Sequence, residues 1–442
     1  MQLSDTELVN LYTNPIKNMK YKLYNLVNFR EIKQIQKLSD EEIFEIEVVG
    51  HVLPFKTNNY VVEKLIDWDN FKSDPCFILN FPQKDMLPQK FFDKLSKAIK
   101  SGAKKSDIAL IVKEIRQHLN PDSSSQTHNI PEYAGEKLEG TQHKYKETML
   151  FFPAQGQTCH AYCTFCFRWP QFSGLKEIKF ATKEIDSIIG YLKNNPQITD
   201  LLITGGDPMT MHADVFELYI DKLLNANIPN LQTIRIGSKS LTYWPYKYLT
   251  DDDSEQILSI FRKITNKGIN LSFMAHFNHI NEMQTIECKS AVRKILKTGA
   301  QIRTQSPILN NLNDNPDMWA RMWRKQLNWG MIPYYMFIVR DTGASTYFAI
   351  SLERAWKVYR KAYSKVSGLC RTVRGPSMST AHGKIVINGV SEINNEKIFT
   401  LSFIQAKNTR LVGVPFYAKY NSKAVWINEL EPAFAKKFIF EE

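Results

Sequence analysis

The first 120 residues show a helical pattern of hydrophobic and polar positions that is interrupted by turns. In the segment LSDEEIFEIE, Ser39 precedes Glu42 by three residues, which is the spacing of a capping box at a helix start. The segment KKSDIALIVKEIRQHL repeats apolar residues at helical intervals. A polar, breaker-rich stretch from Asn120 to His128 predicts a boundary loop. We therefore predict a mostly helical N-terminal region over residues 1–128.

Between Lys146 and Phe337 the pattern changes to short apolar runs that alternate with helical segments. Five of these runs predict strands: ETMLFFP, DLLITGGD, LQTIRIGS, INLSFMAHF and AQIRTQSPIL. Repeated alternation of strands and helices is typical of an α/β fold with parallel strands. Polar or glycine-bearing residues stand at the predicted strand ends, which favours a barrel with an active site at its C-terminal mouth. These residues are Gly205, Gly206, Asp207, Gly237, Ser238, His276 and Gln305.

After Gly368 the pattern becomes more β-like, with the runs KIVINGV and IFTLSFI. The predicted fold class is therefore α/β. We expect a partial (β/α)6-type, TIM-like barrel over residues 129–345, with the helical region before it and a small β-rich C-terminal extension over residues 346–442.

Composition and charge exclude some classes of protein and make others less favoured. A chain of 442 residues with 43% hydrophobic and 12% aromatic residues can build a sizeable core, which excludes global disorder. No run reaches the length of about 18 apolar residues that a membrane helix needs, and the first fifteen residues lack the apolar core of a secretion signal. The 57 basic residues against 45 acidic ones are scattered along the chain, which makes nucleic-acid binding the less favoured interpretation. We expect a cytoplasmic protein without a membrane partner.

Three of the six cysteines are bunched directly after the first apolar strand. Cys159, Cys163 and Cys166 form a C-x3-C-x2-C pattern. Three thiolates on a short loop can bind three irons of a [4Fe–4S] cube and leave the fourth iron open for a small molecule. A zinc site would need a fourth ligand, for which only the adjoining His160 is available. Three unrelated buried thiols are the remaining alternative.

With Phe165 before its third cysteine, the motif resembles the radical S-adenosylmethionine superfamily. That resemblance implies a [4Fe–4S] cluster whose open iron binds S-adenosylmethionine, and a 5′-deoxyadenosyl radical that abstracts an unactivated hydrogen. The turn Gly205-Gly206-Asp207-Pro208 resembles the segment of the family whose glycines let the backbone approach the cofactor.

Further landmarks resemble the lysine 2,3-aminomutase subgroup, in the same order, over most of the chain from about Asp74 to Val390. They are GTQHKYKETMLFF, IRIGSKS, HFNHINE, TQSPILNNLND and IPYYMF. The resemblance implies that Ser238, His276 and Gln305 line the S-adenosylmethionine pocket. It also assigns Arg168 to the carboxylate of the substrate, a task that suits a bidentate guanidinium.

Aminomutases of this subgroup also use pyridoxal 5′-phosphate, bound covalently by a lysine. Lys384 stands at the position of that lysine, but the family's glycine run before it is replaced here by a longer segment, residues 377–383. Of the two arginines with which the family grips the phosphate, one is Lys144 here and the other is Thr148. The hydroxyls of Ser377, Ser379 and Thr380 are candidates to compensate.

A third departure concerns the substrate. Lysine-specific members pair two aspartates with the ε-ammonium of the substrate, and this sequence has Arg340 and Arg374 there. A guanidinium repels an ammonium in a closed pocket, whereas it suits a second carboxylate, so we expect an acidic amino acid such as glutamate or aspartate. The alternative is that these arginines form salt bridges elsewhere, for instance with Asp341. No cysteine follows Cys370, so the C-terminal zinc site of lysine-specific members is not expected.

The sequence therefore predicts a radical S-adenosylmethionine isomerase, a pyridoxal-phosphate-assisted 2,3-aminomutase acting on a free amino acid. An electron donor of the flavodoxin or ferredoxin type is the expected partner, and a homo-oligomer stays open. One alternative is a radical enzyme without pyridoxal phosphate that performs hydrogen abstraction, epimerisation or dehydrogenation. Another is a nucleic-acid-binding iron–sulfur protein.

Overall fold

The computed structural model of the protein describes residues 16–120, 129–173 and 181–441. The N-terminal segment considered as a secretion signal lies outside these ranges, as does the predicted boundary loop from residue 121 onward.

Residues 16–120 contain four α-helices and a small two-stranded sheet. The predicted capping box is confirmed: the Ser39 hydroxyl accepts from the Glu42 amide at 3.3 Å, and the Glu42 carboxylate accepts from the Ser39 amide at 2.8 Å. These bonds satisfy two amides that a helix start leaves without partners. The elements are β1 (Leu23–Asn25), α1 (Asp40–Val52), β2 (Lys56–Asn58), α2 (Pro75–Asn80), α3 (Gln89–Lys100) and α4 (Lys105–Leu119).

An eleven-stranded sheet dominates the rest of the chain, after a short hairpin of β3 (Glu132–Tyr133) and β4 (Glu136–Lys137). Its strand order follows the chain order from β5 at one edge to β15 at the other. Neighbouring strands from β6 to β12 are parallel, whereas β5 and β13–β15 pair antiparallel. The strands are β5 (Thr141–Tyr145), β6 (Thr148–Phe151), β7 (Asp200–Ile203), β8 (Thr233–Ser238), β9 (Asn270–His276), β10 (Gln301–Ile308), β11 (Ile332–Ile338), β12 (Arg374–Ser379), β13 (Gly383–Ile393), β14 (Glu396–Ala406) and β15 (Pro415–Lys419).

Helices connect the parallel strands, so the predicted α/β class is confirmed. No helix in the described ranges has both the length and the apolar character needed to cross a bilayer. The helices are α5 (Trp169–Phe172), α6 (Ile185–Asn194), α7 (Ala213–Asn225), α8 (Ser240–Tyr243), α9 (Ser254–Asn266), α10 (Ile286–Leu296), α11 (Pro316–Asn328), α12 (Ser345–Phe348) and α13 (Leu352–Ser364).

The main core lies between the sheet and these helices. In α9, Ile257, Phe261 and Ile264 follow one another at helical intervals and are fully buried against the sheet, where Ile236 of β8 and Phe273 of β9 are equally buried. Each such side chain contributes about 1.5–3 kcal/mol through burial. Burial on this face fixes the register of the strands, and with it the position of the residues at their C-terminal ends.

The sheet curves until its two sides approach each other. Lys144 of β5 donates a hydrogen bond to the Ser379 hydroxyl of β12 at 3.0 Å, although six strands, β6 to β11, lie between them in the sheet. The Lys384 ammonium of β13 lies 5.8 Å from the centre of the Tyr145 ring of β5. Side chains from strands far apart in the chain therefore share one interior.

Four strands were predicted to end at glycine-bearing or polar site residues. Strand β7 ends at Ile203, two residues before Gly205, and two others end at the predicted residue. Strand β8 ends at Ser238 and β9 ends at His276. Strand β10 differs, because Pro307 and Ile308 stay paired with Phe337 and Ile338 of β11. Gln305 therefore lies inside β10, three residues before its end, and not at the strand end where the sequence pattern placed it.

Candidate active site

The three clustered cysteines lie on a segment between β6 and α5, which we call the thiol loop (residues 158–168). Its backbone is tied to the N-terminal region. The Tyr162 amide donates to the Lys56 carbonyl at 2.8 Å, and the Thr164 amide donates to the Leu79 carbonyl at 3.0 Å. The His160 carbonyl accepts from the Tyr21 hydroxyl at 2.7 Å. The N-terminal region therefore forms one wall of the loop.

All three thiols of the loop are free and partly buried. Burial raises the pKa of Cys163 to about 11 and that of Cys166 to about 12, and it also raises the pKa of Cys159 well above its usual value. The thiols are therefore protonated at neutral pH, and iron binding has to displace their protons. Within the described ranges, no three cysteine, histidine or carboxylate side chains converge on a single ion. A [4Fe–4S] cube does not require such convergence, since each thiolate binds a different iron.

The predicted Gly205-Gly206-Asp207 turn packs directly on the start of the thiol loop. A Cβ atom on Gly206 would lie 2.4 Å from the Thr158 carbonyl oxygen, a distance that real Cβ atoms do not reach. The Asp207 amide donates to that same carbonyl at 2.6 Å. Glycine is therefore required at 206 by contact with the thiol loop itself, whatever ligand binds there.

Asp207 joins the turn to the end of β8. Its buried carboxylate accepts from the Ser238 hydroxyl at 3.0 Å, from the Lys239 amide at 2.9 Å and from the Met209 amide at 3.0 Å. The side chains of the predicted pair Asp207 and Ser238 are thus bonded to each other. Their arrangement fixes the turn, and their predicted contact with S-adenosylmethionine stays a prediction.

The other two predicted S-adenosylmethionine residues are cross-strand neighbours. His276 of β9 pairs with Gln305 of β10 in the parallel register. The His276 Nε2 atom is buried and has no hydrogen-bond partner among the described residues, and its ring lies 5.7 Å from that of Phe165 in the thiol loop. An unpaired buried nitrogen costs about 1–3 kcal/mol. A polar ligand beside the thiol loop would satisfy this atom.

Lys384 lies in a second group of side chains, which we call the lysine pocket: Lys144, Tyr335, Ser379, Lys384 and Gln405. The Lys384 ammonium lies 3.8 Å from the centre of the Tyr335 ring and donates to the Gln405 amide oxygen at 3.4 Å. Burial lowers its pKa well below the usual value, and the charges of Lys144, Arg235 and Arg374 lower it further. A depressed pKa favours the neutral amine, which is the nucleophilic form of lysine.

Lys144 brings positive charge to the same pocket. Burial lowers its pKa to about 8, with further lowering by Arg340 and Arg168. Ser379 accepts from Lys144 through its hydroxyl, and its carbonyl accepts from the Arg340 guanidinium at 3.4 Å. A lysine whose pKa is lowered by neighbouring cations is stabilised in its charged form when an anion binds between them. The lysine pocket therefore fits an anionic group such as a phosphate or a carboxylate.

The hydroxyls of Ser377, Ser379 and Thr380, which were predicted as phosphate ligands, differ in the hydrogen bonds that they already make. Ser379 faces Lys144, as described above. Thr380 exchanges hydrogen bonds with the backbone of Gly383, and the fully buried Ser377 hydroxyl donates to the Met336 carbonyl at 3.4 Å. Of the three, Ser379 is therefore the one directed at a charged side chain of the pocket.

Arg168 belongs to the thiol loop and also acts electrostatically on the lysine pocket. It follows Cys166 by two residues, and its guanidinium stacks on the Phe152 ring at 4.3 Å. Burial lowers its pKa to about 10, and it lies close enough to Lys144 to lower the pKa of that lysine. The thiol loop and the lysine pocket therefore adjoin.

The two arginines that replace the family's aspartates lie apart. Arg340 follows β11, contacts Ser379 and lies 3.6 Å from the Asp341 carboxylate, the local salt bridge that the sequence left open. Arg374 begins β12, five residues or about 16 Å of strand before Ser379, and its exposed side chain lies over the Tyr334 ring at 5.2 Å. The structure therefore brings Arg340, and not Arg374, to Ser379.

Three residues near the site, Arg235, Lys239 and Glu282, lie within motifs quoted from the sequence but were assigned no role there. Arg235 forms a salt bridge with Asp200 and approaches the Thr148 hydroxyl at 3.5 Å, at the position where the family has an arginine. Lys239 and Glu282 form a buried ion pair close to the thiol loop. The charged Lys239 next to Ser238 was a signal in the sequence, but its carboxylate partner lies 43 residues away.

Comparison with known proteins supports the resemblance. No protein-family profile matches the chain. A protein named putative L-lysine 2,3-aminomutase from Aquifex aeolicus is 29% identical over 399 residues, which cover 90% of this chain and 93% of that protein. The L-lysine 2,3-aminomutase of Acetoanaerobium sticklandii is 26% identical over 287 residues, 64% of this chain and 66% of that protein.

Among solved structures, Streptococcus suis SuiB bound to the precursor peptide SuiA aligns with a TM-score of 0.33 and 11% identity, over 61% of this chain and 57% of that one. The match thus spans less than two thirds of the SuiB chain. The chain is therefore related, over most of its length, to proteins named L-lysine 2,3-aminomutase or putative L-lysine 2,3-aminomutase.

Proposed function

We propose that the protein is a radical S-adenosylmethionine aminomutase that uses pyridoxal phosphate to move the amino group of a free, acidic amino acid from its α to its β carbon. Cys159, Cys163 and Cys166 would hold a [4Fe–4S] cluster. The Gly205–Asp207 turn, Ser238, His276 and Gln305 would surround S-adenosylmethionine. When bound, these groups supply a carbon-centred radical, and pyridoxal phosphate supplies a conjugated ring that stabilises the radical of the substrate.

The observation that carries this proposal is the adjacency of the thiol loop and the lysine pocket through Arg168 and Lys144. A radical formed at the cluster has to reach a substrate that is held at the lysine, so the two sites have to adjoin. Arg168 is the one predicted substrate residue next to the cysteines, and it shares its electrostatic environment with Lys144, which in turn lowers the pKa of Lys384. We infer that a partial barrel over residues 129–345 encloses both sites.

The residues of the lysine pocket fit pyridoxal phosphate. Lys384 is a buried amine with a depressed pKa, as covalent attachment of an aldehyde requires. Lys144 and Ser379 offer a cation and a hydroxyl to the phosphate, and the face of the Tyr335 ring flanks the Lys384 nitrogen.

An acidic substrate follows from the charge around the pocket. Arg168 and Arg340 act on Lys144, and Lys144, Arg235 and Arg374 act on Lys384. Asp341 contacts Arg340, and Asp200 contacts Arg235. Buried cations in such excess favour a ligand with more than one negative group. Six free cysteines in the chain support the proposal of a reducing compartment such as the cytoplasm.

The experiment is an anaerobic turnover assay with reconstituted protein, S-adenosylmethionine, a strong reductant and one amino acid at a time. We expect 5′-deoxyadenosine and a β-amino acid with glutamate or aspartate, and background levels of both with lysine. Mass spectrometry detects both products. Efficient turnover of lysine, or no response to either acidic amino acid, contradicts the proposed substrate class.

A radical enzyme without pyridoxal phosphate is the second candidate. It is favoured by the bonding of the Ser377 and Thr380 hydroxyls to the backbone, and by the threonine at position 148, where the family has a phosphate-binding arginine. Borohydride reduction in the presence of pyridoxal phosphate separates the two. A stable adduct at Lys384 supports the aminomutase, and its absence in a protein that still forms 5′-deoxyadenosine supports the second candidate.

A further inference from the structure

A tyrosine hydroxyl contacts one of the three thiols in the loop. The Tyr243 hydroxyl lies 3.4 Å from the Cys163 sulfur, within hydrogen-bonding range for a sulfur acceptor. Tyr243 is the last residue of α8 and is 2% exposed. Neither the cysteine motif nor the glycine turn includes it, since 80 residues separate it from Cys163.

Contacts from Asn58 and Lys239 hold this tyrosine in place. The Asn58 side-chain amide donates to the Tyr243 carbonyl at 3.0 Å. On the face of the ring, the Lys239 ammonium lies 4.6 Å from the ring centre. Lys239 is fixed in turn by the fully buried Glu282 and by the Asn278 side-chain oxygen, which it contacts at 3.0 Å. The hydroxyl thus has little freedom to turn away from the sulfur.

We propose that the Tyr243 hydroxyl donates a hydrogen bond to the Cys163 thiolate and thereby raises the reduction potential of the iron–sulfur cluster in the thiol loop. An iron-bound thiolate has no proton, so the hydroxyl is the only possible donor of the pair. Hydrogen bonds to cluster sulfurs stabilise the reduced state, which carries one more negative charge. This inference rests on the proposed cluster and adds a residue that adjusts how readily it accepts an electron.

A purely structural role for Tyr243 makes different predictions. The ring belongs to the aromatic core that also contains Tyr60, Trp244 and Tyr246, so loss of the side chain would disturb packing. Tyr243→Phe keeps the ring and removes only the donor. Replacement of Tyr243 by 3-fluorotyrosine keeps both and makes the hydroxyl a stronger donor. The two changes shift the potential in opposite directions only if the hydrogen bond itself matters.

The experiment is a redox titration of the anaerobically reconstituted full chain, followed by electron paramagnetic resonance of the reduced cluster. At the midpoint of the unmodified protein, we expect Tyr243→Phe to lower the ratio of reduced to oxidised cluster by up to about tenfold, which is about 59 mV for a one-electron couple. The 3-fluorotyrosine protein should shift the ratio upward. Tyr246→Phe is the matched control, because its hydroxyl bonds to Glu287 and it lies in the same aromatic core.

The possible outcomes are distinct. An unchanged midpoint in Tyr243→Phe, or shifts of the same sign in both Tyr243 proteins, overturns the inference and leaves the proposed function intact. An unmodified protein that binds no iron overturns both. If Tyr243→Phe fails to fold, the 3-fluorotyrosine protein decides alone: an upward shift supports the hydrogen bond, and no shift overturns it.

Discussion

The thiol loop and the lysine pocket are built by different means. The thiol loop is held through its backbone, by amide and carbonyl bonds to Lys56, Leu79 and Tyr21 and by the close approach of Gly206. The lysine pocket is built largely from side chains. Lys144 contacts Ser379 from a strand on the opposite side of the sheet, and Lys384 is the register partner of Ser379 on the neighbouring strand β13. The backbone bonds fix the position of the thiol loop, whereas the side chains of the lysine pocket determine its charge.

This difference teaches where sequence change is tolerated. The thiol loop is placed mainly by bonds to its own amides and carbonyls, so we expect it to tolerate changes of its other side chains as long as its three thiols and Gly206 of the adjoining turn remain. A side-chain pocket changes its ligand whenever one charged residue is replaced. The charged residues in and around the lysine pocket are the ones in which this sequence departs from the lysine-specific aminomutases that it resembles. The predictions below test the two regions in turn.

The largest effect is expected in the thiol loop. Replacement of Cys159, Cys163 and Cys166 by alanine should reduce iron from about four atoms per chain to near zero, because no thiolate ligand remains. Iron and acid-labile sulfide analysis after anaerobic reconstitution measures this loss. Cys370→Ala, at a free buried thiol outside the loop, is the control and should keep its iron. Equal iron in the triple variant and the control would refute the cluster.

Lys384→Ala should abolish the covalent adduct with pyridoxal phosphate. Lys384 is a buried lysine whose lowered pKa favours the neutral, nucleophilic form of its amine. Borohydride reduction followed by peptide mass spectrometry locates the adduct. Lys397→Ala removes an exposed lysine from the neighbouring β14 and should leave labelling unchanged. An adduct that persists in Lys384→Ala would remove this lysine from the proposed site.

Gly206→Ala should lower iron occupancy several-fold although no ligand is removed. The new Cβ would meet the Thr158 carbonyl at 2.4 Å and force the start of the thiol loop to shift. The control is Gly368→Ala, where a new Cβ would have no neighbour within 4 Å and the backbone is not left-handed. Iron content and circular dichroism together distinguish a shifted loop from an unfolded chain. Full occupancy in Gly206→Ala would show that the loop can adjust.

Separate replacement of Arg340 and Arg374 tests which of them contributes more to substrate binding. Arg340→Gln should weaken an acidic substrate roughly tenfold, since loss of a hydrogen bond to a charged group costs about 1.5–3 kcal/mol. Arg374→Gln should have the smaller effect, because Arg374 is exposed and lies at the far end of β12 from Ser379. The KM for 5′-deoxyadenosine release measures both. A larger effect at Arg374 would place the second carboxylate near Tyr334 and Tyr335.

The smallest expected effect is a pH dependence of anion binding. Burial and neighbouring cations lower the pKa of Lys144 to about 8. An anion binds the protonated amine more tightly, so affinity should fall as pH rises through 8, by at most about tenfold per pH unit for one proton. 4′-Deoxypyridoxine 5′-phosphate is a suitable probe, because it lacks the aldehyde that reacts with Lys384. In Lys144→Gln the profile between pH 7 and 9 should be flatter, and an unchanged slope would exclude Lys144 as the titrating group.

Local features of the sequence were sufficient to predict several helices and strands and the cysteine spacing of the thiol loop. The capping box at Ser39 and the strands β6 to β9 follow from residues that are close in the chain. The run AQIRTQSPIL also covers β10 to its end, but it did not show that Gln305 lies inside the strand, paired with His276 on one side and Tyr335 on the other. A pattern that reads one segment at a time cannot detect a partner strand.

The substrate residues show the same limit. Arg340 and Arg374 were assigned to one site because each occupies the place of an acidic residue in lysine-specific relatives. The structure brings Arg340 to Ser379 and leaves Arg374 exposed near the start of β12. Their distance depends on how β11 and β12 align, and that register is a property of the sheet.

By itself, the sequence determined the chemistry that this protein carries: three thiols at cluster spacing, a glycine turn behind them and a lysine ahead of the last strands. Each of these is a short pattern that can be interpreted without knowing what the rest of the chain packs against it. Only the tertiary structure decided which groups meet. The curvature of the sheet brings Lys144 to Ser379 across six strands, and the packing of α8 brings Tyr243 to Cys163. Charge and hydrogen bonding act through space over a few ångströms, so these meetings follow from the fold and not from spacing along the chain.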